Sequence, residues 1–305
     1  MGGRRPPHEG YLMNRLFLAT VFTVTVALDA AEPASAWSLE PLQTLSGFAQ
    51  PESVGIDPRD GVLIVSNQNG PFWQKDGLGF LSRVRADGTV DQPRWFPADG
   101  AAAFDRPAGS AWCRDRLWIA DVDCVRVCDP GTRQVRTIQP PGAQWLNDIA
   151  SDGVRVFVSD SKANTIFVVH PDDTITTIPS PPGPNGLAWF DGRLYGVSFS
   201  AHEIYALDAD GRRQPEPFGL AQHFTFLDGI AFLADGSLLV SDWASGRISM
   251  VLPDHRTVTT LAELVQPADL VVDEAQQRVY VPQIEPGLVQ VFRLVSGRPA
   301  GPVAR

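Results

Sequence analysis

Residues 227–242 read LDGIAFLADGSLLVSD. Leu227 to Phe232 is a short apolar strand opened by an acid, Ala234-Asp235-Gly236 is a tight turn, and Ser237 to Asp242 is a second strand ending on a polar pair. The same line recurs on both sides of it. Upstream stand Gly186-Leu187-Ala188-Trp189 with Arg193 to Val197, Ile149-Ala150 with Val154 to Asp160, and Gly109-Ser110-Ala111-Trp112 with Arg116 to Asp121. Toward the two ends stand Val54-Gly55-Ile56 with Gly61 to Ser66, and Leu270-Val271-Val272 with Arg278 to Pro282. Apart from a longer first interval the copies follow one another at about 40 residues, the repeat length of a four-stranded propeller blade. Apolar and polar residues alternate with period two, and no helical period is sustained. Six copies predict an all-β chain, a six-bladed β-propeller with four-stranded blades.

The last repeat holds three strands, Leu270 to Val272, Val279 to Pro282 and Val289 to Leu294, while Leu39 to Leu45 is an apolar segment with no repeat of its own. An N-terminal strand is therefore expected to complete the last blade and close the ring, which leaves neither sheet edge open. The surplus length of the first repeat falls in Asn67 to Phe80 and Asp91 to Asp105, segments punctuated by Gly and Pro and expected as loops capping one face.

Residues 1–36 are set apart from the fold. Met13-Asn14-Arg15, the apolar run Leu16 to Leu28 and the small-residue signal Ala34-Ser35-Ala36 predict a leader and secretory signal peptide cleaved after Ala36, with Met13 a possible start. The run is shorter than the roughly 20 apolar residues of a membrane-spanning helix. The expected product is one propeller domain over 37–305, secreted or periplasmic, with no stable membrane insertion. Removing three Arg and three acids leaves 22 basic against 32 acidic residues, so the net charge of -10 belongs to the folded part. An acidic chain whose lysines are Lys75 and Lys162 lacks the basic face that nucleic acid or anionic lipid requires. Cys113, Cys124 and Cys128 are expected as buried structural thiols: the last two are four apart in a strand, about 13 Å, and no His accompanies them.

Aligning the copies on their first strand brings six positions into register: Glu52, Ala108, Asn147, Asn185, Asp228 and Ala268. The first strand of each blade lines the central channel, so these side chains converge near the axis. Singly, each of the four polar residues is an ordinary turn residue. Four in register, two of them carboxylates that repel unless a cation joins them, point to a metal site of Glu52, Asn147, Asn185 and Asp228. Calcium takes six to eight oxygen ligands and needs neither His nor Cys, which suits this set better than magnesium's stricter octahedron.

The motifs Pro51-Glu52-Ser53, Leu146-Asn147-Asp148-Ile149, Pro184-Asn185-Gly186-Leu187-Ala188 and Leu227-Asp228-Gly229-Ile230-Ala231 resemble those of the senescence marker protein / gluconolactonase (regucalcin-like) family of six-bladed propellers, related to diisopropylfluorophosphatase and the paraoxonases. The resemblance runs from Glu52 through the last blade. It implies one divalent cation, usually calcium, and hydrolysis of lactones or related esters, with Asp228 as general base or nucleophile, Asn147 and Asn185 at the metal and the substrate, and Asp148 and Asp269 behind them. Sugar lactonases of the family carry an Arg two residues before the third-blade Asn, where it meets substrate hydroxyls. Here that position is Trp145, which predicts a more apolar substrate and, with Phe72, Trp73 and Trp95, an aromatic mouth. His202 reads as a turn residue and His223 as a weaker catalytic candidate. The alternative class is a non-catalytic, metal-stabilised propeller that binds a small ligand or a protein. Architecture does not choose between the two.

Overall fold

In the computed structural model the described residues are Gly2, 37–71 and 74–296; the expected leader and signal peptide, and Phe72 and Trp73 of the expected mouth, fall outside them. Six four-stranded antiparallel sheets follow one another along the chain. The first blade is β2 (Pro51–Ile56), β3 (Leu63–Asn67), β4 (Phe80–Val84) and β5 (Val90–Phe96), and the second is β6 (Pro107–Cys113), β7 (Arg116–Asp121), β8 (Cys124–Cys128) and β9 (Val135–Ile138). The third is β10 (Leu146–Ser151), β11 (Val156–Asp160), β12 (Thr165–Val169) and β13 (Ile175–Ile178); the fourth is β14 (Pro184–Phe190), β15 (Arg193–Ser198), β16 (Glu203–Leu207) and the short β17 (Glu216–Pro217). The fifth is β18 (Leu227–Phe232), β19 (Leu238–Asp242), β20 (Arg247–Val251) and β21 (Val258–Glu263).

The sixth blade joins the two ends of the chain. Its strands β22 (Val271–Asp273), β23 (Arg278–Gln283) and β24 (Leu288–Ser296) are completed by β1 (Trp37–Ser46) on the outside. The pairing runs from Trp37 opposite Ser296 to Ser46 opposite Leu288. Leu45 of β1 then packs with Val289 and Val291 against Val54, Leu63 and Val65 of the first blade, so the closing strand also seals the junction between last and first blades. Other junctions are filled the same way; Val125 and Val127 of the second blade meet Leu146, Val158 and Phe167 of the third. Burial of such faces at about 25 cal/mol per Å² is what holds blade to blade.

One irregularity recurs. The pairing of inner strand with second strand breaks between Pro51 and Val54, Pro107 and Ser110, Leu146 and Ile149, Pro184 and Leu187, and Leu227 and Ile230. Each break spans the position singled out by the repeat and its successor, and such bulges re-aim side chains. The backbone groups freed by the bulge are met by the second strand. Ser66, Ser159 and Ser241 accept hydrogen bonds from the amides of Ser53, Asp148 and Gly229 at 2.9, 2.9 and 2.8 Å, and Ser241 also donates to the Ala268 carbonyl at 2.7 Å. One residue further along, Asp121, Asp160 and Asp242 accept the amides of Arg106 (2.6 Å), Trp145 (3.1 Å) and Phe226 (3.1 Å), fixing the loop that enters each inner strand. The polar endings of the second strands in the first, second, third and fifth blades are thereby explained. Gly109 is required by close approach: a Cβ there would stand 2.6 Å from the Asp148 Cα.

Two expectations change. Residues 91–96 are not loop but strand β5, because Trp95 and Phe96 have apolar partners in Leu81 and Phe104. Trp95 is 5% exposed and belongs to the blade, not to a mouth. The three cysteines are buried and unpaired as thiols, and burial pushes Cys124 up to about 12. Ser241→Ala removes the acceptor of one buried amide and the donor to one carbonyl, so unfolding in denaturant is expected to show a loss of about 1–3 kcal/mol at unchanged slope. A loss below about 0.5 kcal/mol would mean that the bulge is held by other contacts.

Candidate metal and substrate site

All four in-register polar residues line one cavity of about 610 Å³. Glu52, Asn185 and Asp228 are 3%, 3% and 6% exposed, and Asn147 is half-buried. They come from the bulges of β2, β10, β14 and β18. The rest of the wall is loop. Arg106, Trp145, Gly183 and Gln266 enter from the segments leading into inner strands, and Gln68, Lys162, Phe199, Trp243 and Ile284 from turns between second and third strands. The long first-blade loop stands at the same end, tied to its neighbours by the Lys75–Asp123 ion pair (2.8 Å), by Gly77 N–H donating to Asp105 (3.0 Å) and by the Gly79–Phe104 bridge.

At the base of the cavity four side-chain oxygens are buried with no hydrogen-bond partner: Glu52 Oε2, Asn147 Oδ1, Asn185 Oδ1 and Asp228 Oδ1. A buried acceptor left unmet costs about 1–3 kcal/mol, more when charged. Nine such buried side-chain atoms stand among the described residues; apart from Arg106 Nε, Trp112 Nε1, Arg133 Nε, His202 Nδ1 and Ser237 Oγ they are these four, one from each in-register residue. They are also hard oxygen donors, two carboxylates and two carboxamides, the chemistry calcium takes. Among the described residues no three side chains of His, Cys, Asp or Glu gather in metal-binding fashion. This set has two carboxylates and completes itself with amide oxygens, a kind of donor outside those four residue types.

Electrostatics agree with the geometry. Burial first, and the Asp228, Asp269 and Asp148 charges next, hold the Glu52 carboxyl well above its ordinary range, opposed by the Arg106 guanidinium. Burial and the charge of Asp269 push Asp228 up to about 7, with the Asn185 amide partly offsetting them. Asp269, also raised to about 7 by burial, accepts a hydrogen bond from the Ser53 hydroxyl (3.0 Å), and its amide donates to the Glu52 carbonyl (3.0 Å). Asp148 is buried and accepts the amides of Leu187 (2.6 Å) and Ile149 (2.7 Å), so it binds the third blade to the fourth. Asp148 and Asp269 do not line the cavity; they lie behind the four.

Among the described residues Trp145 lines the cavity together with Phe199, stacked on Phe226 with centroids 4.5 Å apart, and Trp243, 6.4 Å from Phe199, while Trp95 does not. His202 occupies the turn between β15 and β16 with φ 58°, against Phe226, and His223 sits in a single 3-10 turn with its ring 6.2 Å from Phe224. Neither histidine lines the cavity. Arg106, Phe199 and Trp243 are among the wall residues that reading the repeat missed. A signal for Arg106 exists: it precedes Ala108 by two positions, as Trp145 precedes Asn147.

No protein-family model and no curated protein matches the chain. Its fold is similar to that of many solved structures. A gluconolactonase from Xanthomonas campestris superposes with a TM-score of 0.64 at 17% identity, covering 84% of this chain and 95% of that one. A streptogramin B lyase gives 0.60 at 12% identity, covering 85% and 97%, and the virginiamycin B lyase of Staphylococcus aureus 0.58 at 13%, covering 85% and 100%. Identities this low establish the shared propeller fold and nothing finer.

The raised carboxyls have a consequence for the cation-free protein. An acid whose pKa is higher folded than unfolded keeps its proton longer in the native state, so stability falls as pH rises between the two values. For Asp228 that window runs from the ordinary aspartate value of 3.8 to about 7. In chelator the unfolding free energy of the wild type is expected to fall relative to that of Asp228→Asn across this window. A difference that stays flat or rises with pH would contradict the charge cluster.

Proposed function

We propose that the chain is a divalent-cation-dependent hydrolase of lactones or related esters, calcium the favoured ion, of the gluconolactonase-like kind and exported by its leader. The observation that carries the reading is the set of four partnerless buried oxygens on Glu52, Asn147, Asn185 and Asp228 at the base of a single cavity. These four residues would hold the cation, which when bound polarises an ester carbonyl and stabilises the negative charge that develops on it.

The chain's own groups supply the rest. Asp228, a buried carboxyl lining the cavity, is suited to take a proton from the attacking water and return it to the leaving alkoxide. The carboxamides of Asn147 and Asn185 have one end for the cation and an N–H end for the substrate oxygen. Trp145, Phe199 and Trp243 form apolar walls that favour a hydrophobic substrate and exclude bulk water. With Trp145 in the position of the sugar-binding Arg, a polyhydroxylated sugar lactone is the poorer fit.

Calcium added to chelated protein is expected to raise the melting temperature, and a panel of aromatic and aliphatic lactones and esters to be turned over only after that addition. Asp228→Ala should lower kcat by about 10²–10⁴-fold, the range of general-base losses. Thermal stabilisation by calcium with no turnover across the panel would leave a metal-stabilised binding protein. Absence of both effects would remove the cation site altogether.

A further inference from the structure

A second ring of side chains borders the cavity on the mouth side of the four oxygens. In the first, third, fourth and fifth blades the second strand is last paired at Asn67, Asp160, Ser198 and Asp242, opposite Pro51, Leu146, Pro184 and Leu227, and in the sixth Gln283 bridges Pro267. The residues that follow are Gln68, Ser161, Phe199, Trp243 and Ile284, and all of them line the cavity. Each donates its amide to the carbonyl of the residue two places before the axial position: Gln50 (3.1 Å), Trp145 (3.0 Å), Gly183 (2.9 Å), Phe226 (2.9 Å) and Gln266 (3.3 Å). Phe199, Trp243 and Ile284 come from consecutive blades and form one apolar arc. Gln68, of the first blade, faces the fourth-blade Phe199 across the ring. The Ser161 hydroxyl is spent on the Pro184 carbonyl at 2.7 Å.

Gln68 is 5% exposed, and its Oε1 accepts a hydrogen bond from Arg106 Nη2. A guanidinium donates and never accepts, so the carboxamide has one orientation, oxygen on Arg106 and nitrogen away from it. Nε2 therefore presents two N–H donors that meet no acceptor among the described residues, and it is not sealed in as the four oxygens at the base are; it opens on the cavity that Gln68 lines. The backbone around it is pinned. Asn67 accepts the Ala49 amide (2.9 Å) and donates to the Ser82 hydroxyl (3.0 Å), and the Gly70 amide donates to the Gln50 side chain (2.9 Å). Donation from a guanidinium into Oε1 polarises the carboxamide and strengthens its N–H donors. A donor fixed in advance loses little freedom when a ligand engages it.

We infer that Gln68 is a specificity residue whose Nε2 donates to a neutral carbonyl oxygen of the substrate other than that of the ester, and that the second ring selects lactones with this oxygen on one side and an apolar or aromatic group on the other. This rests on the hydrolase reading for the lactone and on the cavity alone for the second oxygen. The arc of Phe199, Trp243 and Ile284 takes the apolar group. A buried donor with no other partner discriminates strongly, because a ligand that lacks the acceptor leaves the donor unmet.

The test uses a five-membered lactone with a phenyl group on one ring carbon and an acetyl group on another, its counterpart with isopropenyl in place of acetyl, and the non-hydrolysable lactam of each. Isopropenyl keeps the planar shape and removes the acceptor oxygen. For calcium-loaded wild type, kcat/KM and calorimetric lactam affinity should both favour the acetyl member by about 5- to 50-fold, the difference between a buried donor met and unmet. Gln68→Glu leaves Arg106 its acceptor and removes the N–H donors, so the ratio of acetyl to isopropenyl should fall to about one, and Gln68→Met, which removes both, should do the same. Phe199→Ala should weaken both lactams and keep the ratio, which separates the donor from the apolar arc. Circular dichroism and calcium-induced stabilisation establish that the variants fold. Equal binding of the two lactams by the wild type, binding of neither, or an unchanged ratio in either Gln68 variant would overturn the proposal. A lactam preference that follows the expected pattern without turnover of either lactone would defeat the hydrolase reading and leave the Gln68 donor standing.

Discussion

The site depends on one repeated device, a break in strand pairing after the first residue of five of the six inner strands, held open in three of them by serines of the second strand. A regular antiparallel ladder alternates its side chains between the two sheet faces and presents none along the strand toward its end. The bulge turns Glu52, Asn147, Asn185 and Asp228 toward the axis, and Ser66, Ser159 and Ser241 near the ends of their second strands satisfy amides that the bulge releases, while Asp121, Asp160 and Asp242 end their second strands. The same Asp endings pin the residues two places earlier, among them Arg106 and Trp145, which form the wall. Ring closure by β1 makes the device work as a set, since a ring open at the sixth blade would let the first blade and its Glu52 move away from the other three.

This arrangement is costly in the absence of a ligand. Four carboxyls, Glu52, Asp148, Asp228 and Asp269, share one desolvated region; burial raises the pKa of each, and the charge of at least one of the others adds to it for Glu52, Asp148 and Asp228. Each buried ion costs several kcal/mol, against a net domain stability of about 5–15 kcal/mol. Asp148 and Asp269 recover part of that through hydrogen bonds from Leu187, Ile149 and Ser53. Glu52 and Asp228 each keep an oxygen with no partner. The unsatisfied pair faces the cavity and the satisfied pair lies behind, the distribution expected if the protein stores its electrostatic strain where a cation binds.

The sequence is legible where physics repeats and opaque where it does not. Blade count, the closing strand and the axial ring follow from a pattern that returns every 40 residues or so, because each blade must solve the same packing and bulge problem. The four axial oxygens were legible for that reason, and Trp145 through the same register. The loops were not. Phe199 and Trp243 reach the cavity from turns whose course depends on their neighbours, and Trp95, which looks like loop in a segment rich in Gly and Pro, is claimed by the apolar junction of the first blade. Arg106 was hidden by an Ala: nothing polar stands at the axial position of its blade to draw attention to the residue two places before it.

A crystal structure of the protein grown with calcium examines the central claim most directly. The account predicts a single strong peak at the base of the cavity, with oxygens of Glu52, Asn147, Asn185 and Asp228 at about 2.3–2.6 Å and remaining positions open toward Trp145. Ordered water there in place of an ion at saturating calcium, with Glu52 and Asp228 close enough to share a proton, would contradict it.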